Sequence, residues 1–194
     1  MDTVVCDVGG VIIRFGTDVA RQIEARHGLA RGSLLTAALK SSAGRRAMAG
    51  EITYADWKRS VAGLVGEAAV EDWLSYHGEL EAEVVALLKK SRGSGARVVL
   101  LSNATARLFD DLAFHGVAEL ADRVLCSARM GLVKPDPRCF REAARVAEFA
   151  LERALYVDDT ASWVAAGVHL GMTGHVFSTA KDLRDLLEST GLVS

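Results

Sequence analysis

No stretch of this chain approaches the roughly 18 consecutive apolar residues that a membrane-spanning helix requires, which excludes a helical membrane protein. No long block of like charge breaks the sequence either, and the formal net charge is only -2. That balance argues against nucleic acid as the main partner. Cysteine is scarce: Cys6, Cys126 and Cys139 are the three present. An odd number, with two in or beside apolar runs, excludes a disulfide framework and reads as reduced, buried thiols. The first residues enter an apolar strand at once. With no basic n-region and apolar h-region ahead of it, no signal peptide is expected. Internal repeats and low-complexity linkers are also missing. These absences together imply a soluble, cytoplasmic protein with no membrane partner.

What is present is a core-forming composition. Half of the 194 residues are hydrophobic, enough for one α/β domain with an insertion or for two small domains. The organising stretch is the first one. Val4-Val5-Cys6 is a continuous apolar run, as in a strand buried on both faces, and it delivers Asp7 to its C-terminal end. Gly9 and Gly10 follow, where the backbone turns and can approach a ligand closely.

Residues 17–79 then read as all-helical. Val19 and Ile23, then Leu34, Leu35 and Leu39, recur at helical spacing, and Arg45 to Ala49 form a short helix ended by Gly50. Thr53 is placed as the N-cap of a helix with Trp57, Val61, Leu64 and Val65 on one stripe, and a further helix carries Val70, Trp73 and Leu74. From there strands and helices alternate. A helix striped by Leu80, Val84, Leu87 and Leu88 leads to the strand Arg97-Val98-Val99-Leu100-Leu101, which ends at Ser102-Asn103. Val124-Leu125-Cys126 and Ala154-Leu155-Tyr156-Val157 are further strands, the second ending at Asp158-Asp159, and Gly174-His175-Val176-Phe177 is the last. Asp136 and Pro137 start one intervening helix, and Thr179 caps the final one. The fold expected is α/β: a doubly wound parallel sheet with right-handed crossovers, a core of residues 1–16 and 80–194, and an inserted helical cap of residues 17–79.

On such a sheet the strand ends gather on one edge, where ligands bind. Asp7, Ser102-Asn103, Lys134 and Asp158-Asp159 all fall there or in an adjoining loop. Taken singly, each has a plain reading: Ser102-Asn103 as a helix cap, Lys134 as a solvated charge, Asp158-Asp159 as a turn. Taken together they form a set of three carboxylates, one ammonium and one hydroxyl. Three carboxylates without a cation repel one another, and a hard divalent ion such as Mg²⁺ resolves the conflict. Asp7 can attack phosphorus, Ser102 suits an anionic oxygen, and Lys134 is a point charge for phosphate. Adjacent on an extended chain, Asp158 and Asp159 face opposite ways.

In order along the chain, Val5-Cys6-Asp7-Val8-Gly9-Gly10-Val11-Ile12, Val98-Val99-Leu100-Leu101-Ser102-Asn103, Gly131-Leu132-Val133-Lys134-Pro135-Asp136 and Tyr156-Val157-Asp158-Asp159 resemble the four motifs of the haloacid-dehalogenase (HAD) superfamily. The resemblance is to its phosphatase-like branch with a small helical cap, and Gly50-Glu51-Ile52-Thr53 resembles a cap signature. It implies Asp7 as nucleophile and metal ligand, with Ser102, Asn103 and Lys134 holding the phosphoryl group. It also implies Mg²⁺ bound by Asp7, the Gly9 carbonyl and Asp159, with Asp158 acting directly or through water. The implied substrate is a small phosphorylated metabolite, handled by a monomer or homodimer. Two positions depart from the pattern. The acid/base Asp expected two residues after the nucleophile is Gly9, and an Asn often found four residues after Asp159 is Trp163, expected here to pack on the core. Besides a phosphatase, the set admits a silent phosphate-binding module, favoured by Gly9. It also admits a dehalogenase, whose chemistry needs no metal and so leaves the acidic pair unexplained.

Overall fold

A computed structural model describes residues 1–193. Its centre is a five-stranded sheet in the order β5-β4-β1-β6-β7, built from β1 (Thr3–Cys6), β4 (Arg97–Ser102), β5 (Arg123–Cys126), β6 (Ala154–Asp158) and β7 (Thr173–Val176). Every pairing is parallel, with Val5 opposite both Val99 and Tyr156. The continuous apolar runs are explained by the pleat. Val4, Cys6, Val98, Leu100, Leu155 and Val157 enter one core, while Val5, Val99, Leu101 and Tyr156 enter the other. The first face is covered by α6 (Ala82–Gly93), α7 (Arg107–Phe114) and α11 (Ala180–Ser189), through residues such as Leu88, Leu112 and Leu183. The second is covered by α9 (Pro137–Ala147) and α10 (Ala161–His169), through Phe140, Ala143 and Val164. Asp136 and Thr179 cap α9 and α11 as expected, each accepting a hydrogen bond from the first turn. All three cysteines are free and buried. Among the described residues no helix is long and apolar enough to cross a membrane.

The helical block leaves and rejoins this core through a short antiparallel ribbon, β2 (Ile13–Arg14) with β3 (Glu79–Leu80). Sequence periodicity placed Leu80 on a helix. In the structure it pairs with Ile13, and α6 begins only at Ala82. Between the ribbon strands lie α1 (Thr17–Arg26), α2 (Ser33–Leu35), a π-helical turn (Thr36–Lys40), α3 (Ser42–Met48), α4 (Tyr54–Val65) and α5 (Glu67–Leu74). They share an apolar cluster of their own around Ile23, Leu34, Trp57, Val61 and Val70. The buried Glu24 carboxylate accepts from Gly32 N–H at 2.8 Å and Leu34 N–H at 2.9 Å, which satisfies the start of α2. Thr53 caps α4 as expected. Two expected stripe residues are exposed. Leu64 lies on the solvent face of α4, and the π-helical turn rotates Leu39 outward.

The block docks on the core at α8 (Ser127–Met130), a four-residue helix with no apolar period to announce it. Ser127 Oγ donates to the Met48 carbonyl at 2.7 Å. Gly50, at φ 72°, ends α3 in the left-handed region, and a Cβ there would lie 2.3 Å from the Ala128 carbonyl oxygen. Gly50→Ala is therefore expected to cost about 2 kcal/mol or more, from backbone strain and from loss of this seam. Urea unfolding measures it. An unchanged midpoint would mean that the contact is dispensable.

Candidate active site

Asp7 continues the β1 ladder by one residue, its N–H donating to the Val157 carbonyl at 2.8 Å, so its carboxylate leaves the sheet at the C-terminal edge. The chain then folds back sharply. The Val8 carbonyl accepts from Ile12 N–H and Ile13 N–H, both at 2.9 Å. The two glycines of this turn have different duties. Gly10 sits at φ 84°, and a Cβ on it would lie 2.2 Å from Asp159 Oδ2, so only glycine lets the backbone lie against that carboxylate. Gly9 has no such constraint: its φ lies outside the left-handed region and a Cβ would meet nothing within 4 Å.

Lys134 is the hub. Its side chain is fully buried, with Nζ 2.7 Å from Asp158 Oδ2 and 2.9 Å from Asp7 Oδ1. The second contact is an ion pair without hydrogen-bond alignment, so the buried Asp7 Oδ1 lacks a hydrogen-bond partner among the described residues. Asn103 holds Lys134 by its backbone. Its Oδ1 accepts from Lys134 N–H and its Nδ2 donates to the Lys134 carbonyl, both at 2.8 Å. The Asn103 side-chain amide is thus engaged in positioning the lysine. Ser102 is buried at the end of β4, beside Gly9 and Asn103 on the wall of one cavity.

The acidic pair divides as adjacency on a strand dictates, with Asp158 buried and Asp159 exposed. Asp158 is heavily committed. Besides Lys134, Oδ2 accepts from Tyr156 Oη at 2.5 Å, and Oδ1 accepts from Thr160 N–H at 2.8 Å. Burial pushes the Tyr156 phenol far up, so it stays a donor. Tyr156 was read from the sequence only as a core strand residue. Its place two residues before Asp158, on the same sheet face, was the available signal. Trp163 departs from expectation more sharply. It is partly exposed, and its ring centroid lies 4.7 Å from Lys134 Nζ, a cation–π contact with the hub.

Charge decides what this arrangement accepts. Oxygens of Asp7, Asp158 and Asp159 lie within 4.8 Å of one another, and among the described residues one ammonium, that of Lys134, faces them. Three negative charges against one positive leave a deficit that a single divalent cation balances. An all-oxygen donor set, with a buried Asp7 oxygen that accepts no aligned hydrogen bond, fits a hard ion such as Mg²⁺. With no ion bound, the Asp7 carboxyl is pushed up to about 6. Burial is the main cause; Asp158 adds to it and Lys134 opposes it.

A family model described as haloacid dehalogenase-like hydrolase matches residues 1–171. Among curated proteins, a phosphatase of Mycobacterium tuberculosis is 32% identical over 103 residues, covering 50% of this chain and 46% of that protein. A sesquiterpene phosphatase of Aspergillus oryzae is 29% identical over 112 residues, covering 55% and 57%. The matched regions thus span about half the length of these relatives. Among solved structures, a HAD family enzyme of Bacteroides thetaiotaomicron, in complex with magnesium and inorganic phosphate, superposes with a TM-score of 0.83. Its identity is 18%, with 96% of this chain and 98% of that one covered, so the likeness is one of fold.

The Asp7 shift makes a prediction about stability in chelator. Unfolded, this carboxyl titrates near its ordinary 3.8; folded, near 6. Between those values the folded state holds the extra proton, so Asp7 removes stability as pH rises through the window, and the loss is complete above it. Asp7→Asn escapes this loss. It is expected to melt several degrees above the wild type at pH 7.5, a difference on the order of 2–3 kcal/mol, with the gap closing towards pH 4. Calorimetry in EDTA checks it, and a lower melting temperature for Asp7→Asn at pH 7.5 would contradict it.

Proposed function

The chain belongs to the haloacid dehalogenase-like hydrolases, and from that premise we propose that it is a Mg²⁺-dependent phosphatase of a small phosphorylated metabolite, acting through an aspartyl-phosphate on Asp7. One observation carries the reading: Lys134 is held between Asp7 and Asp158, with Asp159 alongside, at the strand ends. The phosphatases among its relatives support the same reaction class.

In this reading Asp7, Asp159 and the Gly9 carbonyl hold the ion, with Asp158 beside them. The ion, when bound, supplies positive charge for the phosphoryl oxygens and for the crowded carboxylates. The ionised Asp7 attacks phosphorus, and its O–P bond forms as the bond to the alcohol oxygen breaks. Ser102 donates a hydrogen bond to a phosphoryl oxygen, and Lys134 contributes charge there while keeping Asp7 in place. Asn103, through the Lys134 backbone, and Tyr156, through Asp158, are positioning residues. Water then attacks phosphorus, releasing inorganic phosphate and restoring Asp7. Gly9 presents no acid to the departing oxygen, so that oxygen takes its proton from water. The helices of residues 17–79 act as the cap that shields these steps.

Gly9 also favours a second reading, a protein that binds phosphate without turning it over. Phosphate release from a panel of phosphomonoesters, with Mg²⁺ and with chelator, separates the two. The expected result is Mg²⁺-dependent release, lost in Asp7→Asn, and fastest for leaving groups that are already acidic, such as nitrophenol. A Cβ at Gly9 would meet nothing within 4 Å, which makes Gly9→Asp a practical test. It is expected to speed alkyl phosphates more than p-nitrophenyl phosphate, up to the roughly 10²–10⁴-fold of placed acid–base catalysis. Binding of vanadate without release from any ester would establish the silent reading instead.

A further inference from the structure

Between the helical block and the strand ends lies a cavity of about 250 Å³. Ser102, with Gly9 and Asn103 beside it, lines the cavity at the strand ends, so whatever fills the cavity reaches the serine that the phosphatase reading gives to the phosphoryl group. The walls are apolar: Phe15, Leu35, Leu39, Met48, Trp57 and Trp73. The Trp57 indole N–H is already spent on the Ala38 carbonyl at 2.9 Å. Phe15 and Leu39 are 47% and 45% exposed, large apolar side chains on this wall that a ligand would cover.

The charged side chains on the wall are Arg107 and Asp111, and they neutralise each other at 3.2 Å. Asp111 is further engaged by His77 at 2.8 Å, and Arg107 donates to the Tyr76 carbonyl at 2.7 Å. No unpaired charge therefore faces the cavity among the described residues. Beyond Gly9, Ser102 and Asn103, the uncharged polar side chains on the lining are Tyr76, whose hydroxyl is buried without a partner, and the half-buried Thr105, so the polar capacity is two hydroxyls. A sugar phosphate would bring several hydroxyls into this space. Each one stripped of water and left unpaired costs roughly five- to 150-fold in affinity. A second acidic group would meet no free cation. An apolar group gains from every methylene it buries.

We propose that the cavity takes the apolar alcohol portion of a phosphate monoester: an alkyl, alkenyl or aryl phosphate bearing at most two further polar atoms. This rests on the phosphatase reading for the chemistry at Asp7. Its test separates the two claims, because n-alkylphosphonates bind without being hydrolysed. In a calorimetric series from methyl- to hexylphosphonate with Mg²⁺, the dissociation constant is expected to fall about fourfold per methylene until the cavity is full. Glucose 6-phosphate is expected to bind more weakly than ethylphosphonate. Leu39→Asp, at a half-exposed position that tolerates charge, is expected to weaken hexylphosphonate at least tenfold more than methylphosphonate. A flat series, or glucose 6-phosphate binding more tightly than hexylphosphonate, would overturn the proposal. Phosphate release from the matching alkyl phosphates and from p-nitrophenyl phosphate is read in parallel. A steep binding series with no release from either overturns the phosphatase reading and upholds the apolar class; release with a flat series does the reverse. No binding of any phosphonate overturns both.

Discussion

The buried Lys134 ammonium, shared by Asp7 and Asp158, is the interaction on which the rest of the structure depends. Burying three such charges is costly unless their mutual geometry is good. Much of the surrounding chain exists to keep it good. The Asn103 amide grips the lysine backbone on both its N–H and its carbonyl. Tyr156 and the Thr160 N–H occupy the Asp158 oxygens, which fixes the carboxylate that the lysine meets. Trp163 offers its ring face to the same ammonium. The parallel register, with β1 between β4 and β6, brings Asp7, Ser102 and Asp158 to one edge from positions far apart in sequence.

That cluster is stable enough to form and unstable enough to be useful. Burial lifts the Asp7 carboxyl, and three carboxylates with oxygens within 4.8 Å of one another suit a cation. The two glycines after Asp7 show how closely backbone and charge are fitted. Gly10 is required because Asp159 lies against it, whereas at Gly9 the space is open and the missing side chain is a matter of chemistry. Above this edge the helical block adds a surface of the opposite character, apolar and charge-balanced. In the proposed reading, the phosphoryl end and the alcohol end of an ester would meet different environments.

Much of this was legible in the sequence, and the failures have physical reasons. Strands such as Arg97–Ser102 and Ala154–Asp158 stood out because burial on both faces leaves no polar alternation. The caps Thr53, Asp136 and Thr179 stood out because their chemistry is local. The ribbon of Ile13–Arg14 with Glu79–Leu80 and the helix Ser127–Met130 are too short to carry a period. Leu39 and Leu64 followed the helical spacing yet face outward, the first because a π-helical turn shifts the phase. Trp163 was assigned to the core because spacing alone says nothing of a lysine arriving from a loop 29 residues earlier (163 minus 134). Asn103 and Tyr156 reach their partners through side-chain geometry that no one-dimensional pattern contains.

Whether the carboxylate excess is balanced by a single divalent ion is open to direct measurement. Titrating Mg²⁺ into chelator-treated protein in a calorimeter is expected to show one ion per chain. Binding is expected to be lost in Asp159→Asn, whose side chain lies at the exposed side of the cluster, while the variant keeps its fold by circular dichroism. Two or more equivalent ions, no ion at all, or undiminished affinity in Asp159→Asn would contradict the assignment of the cluster as a single-cation site.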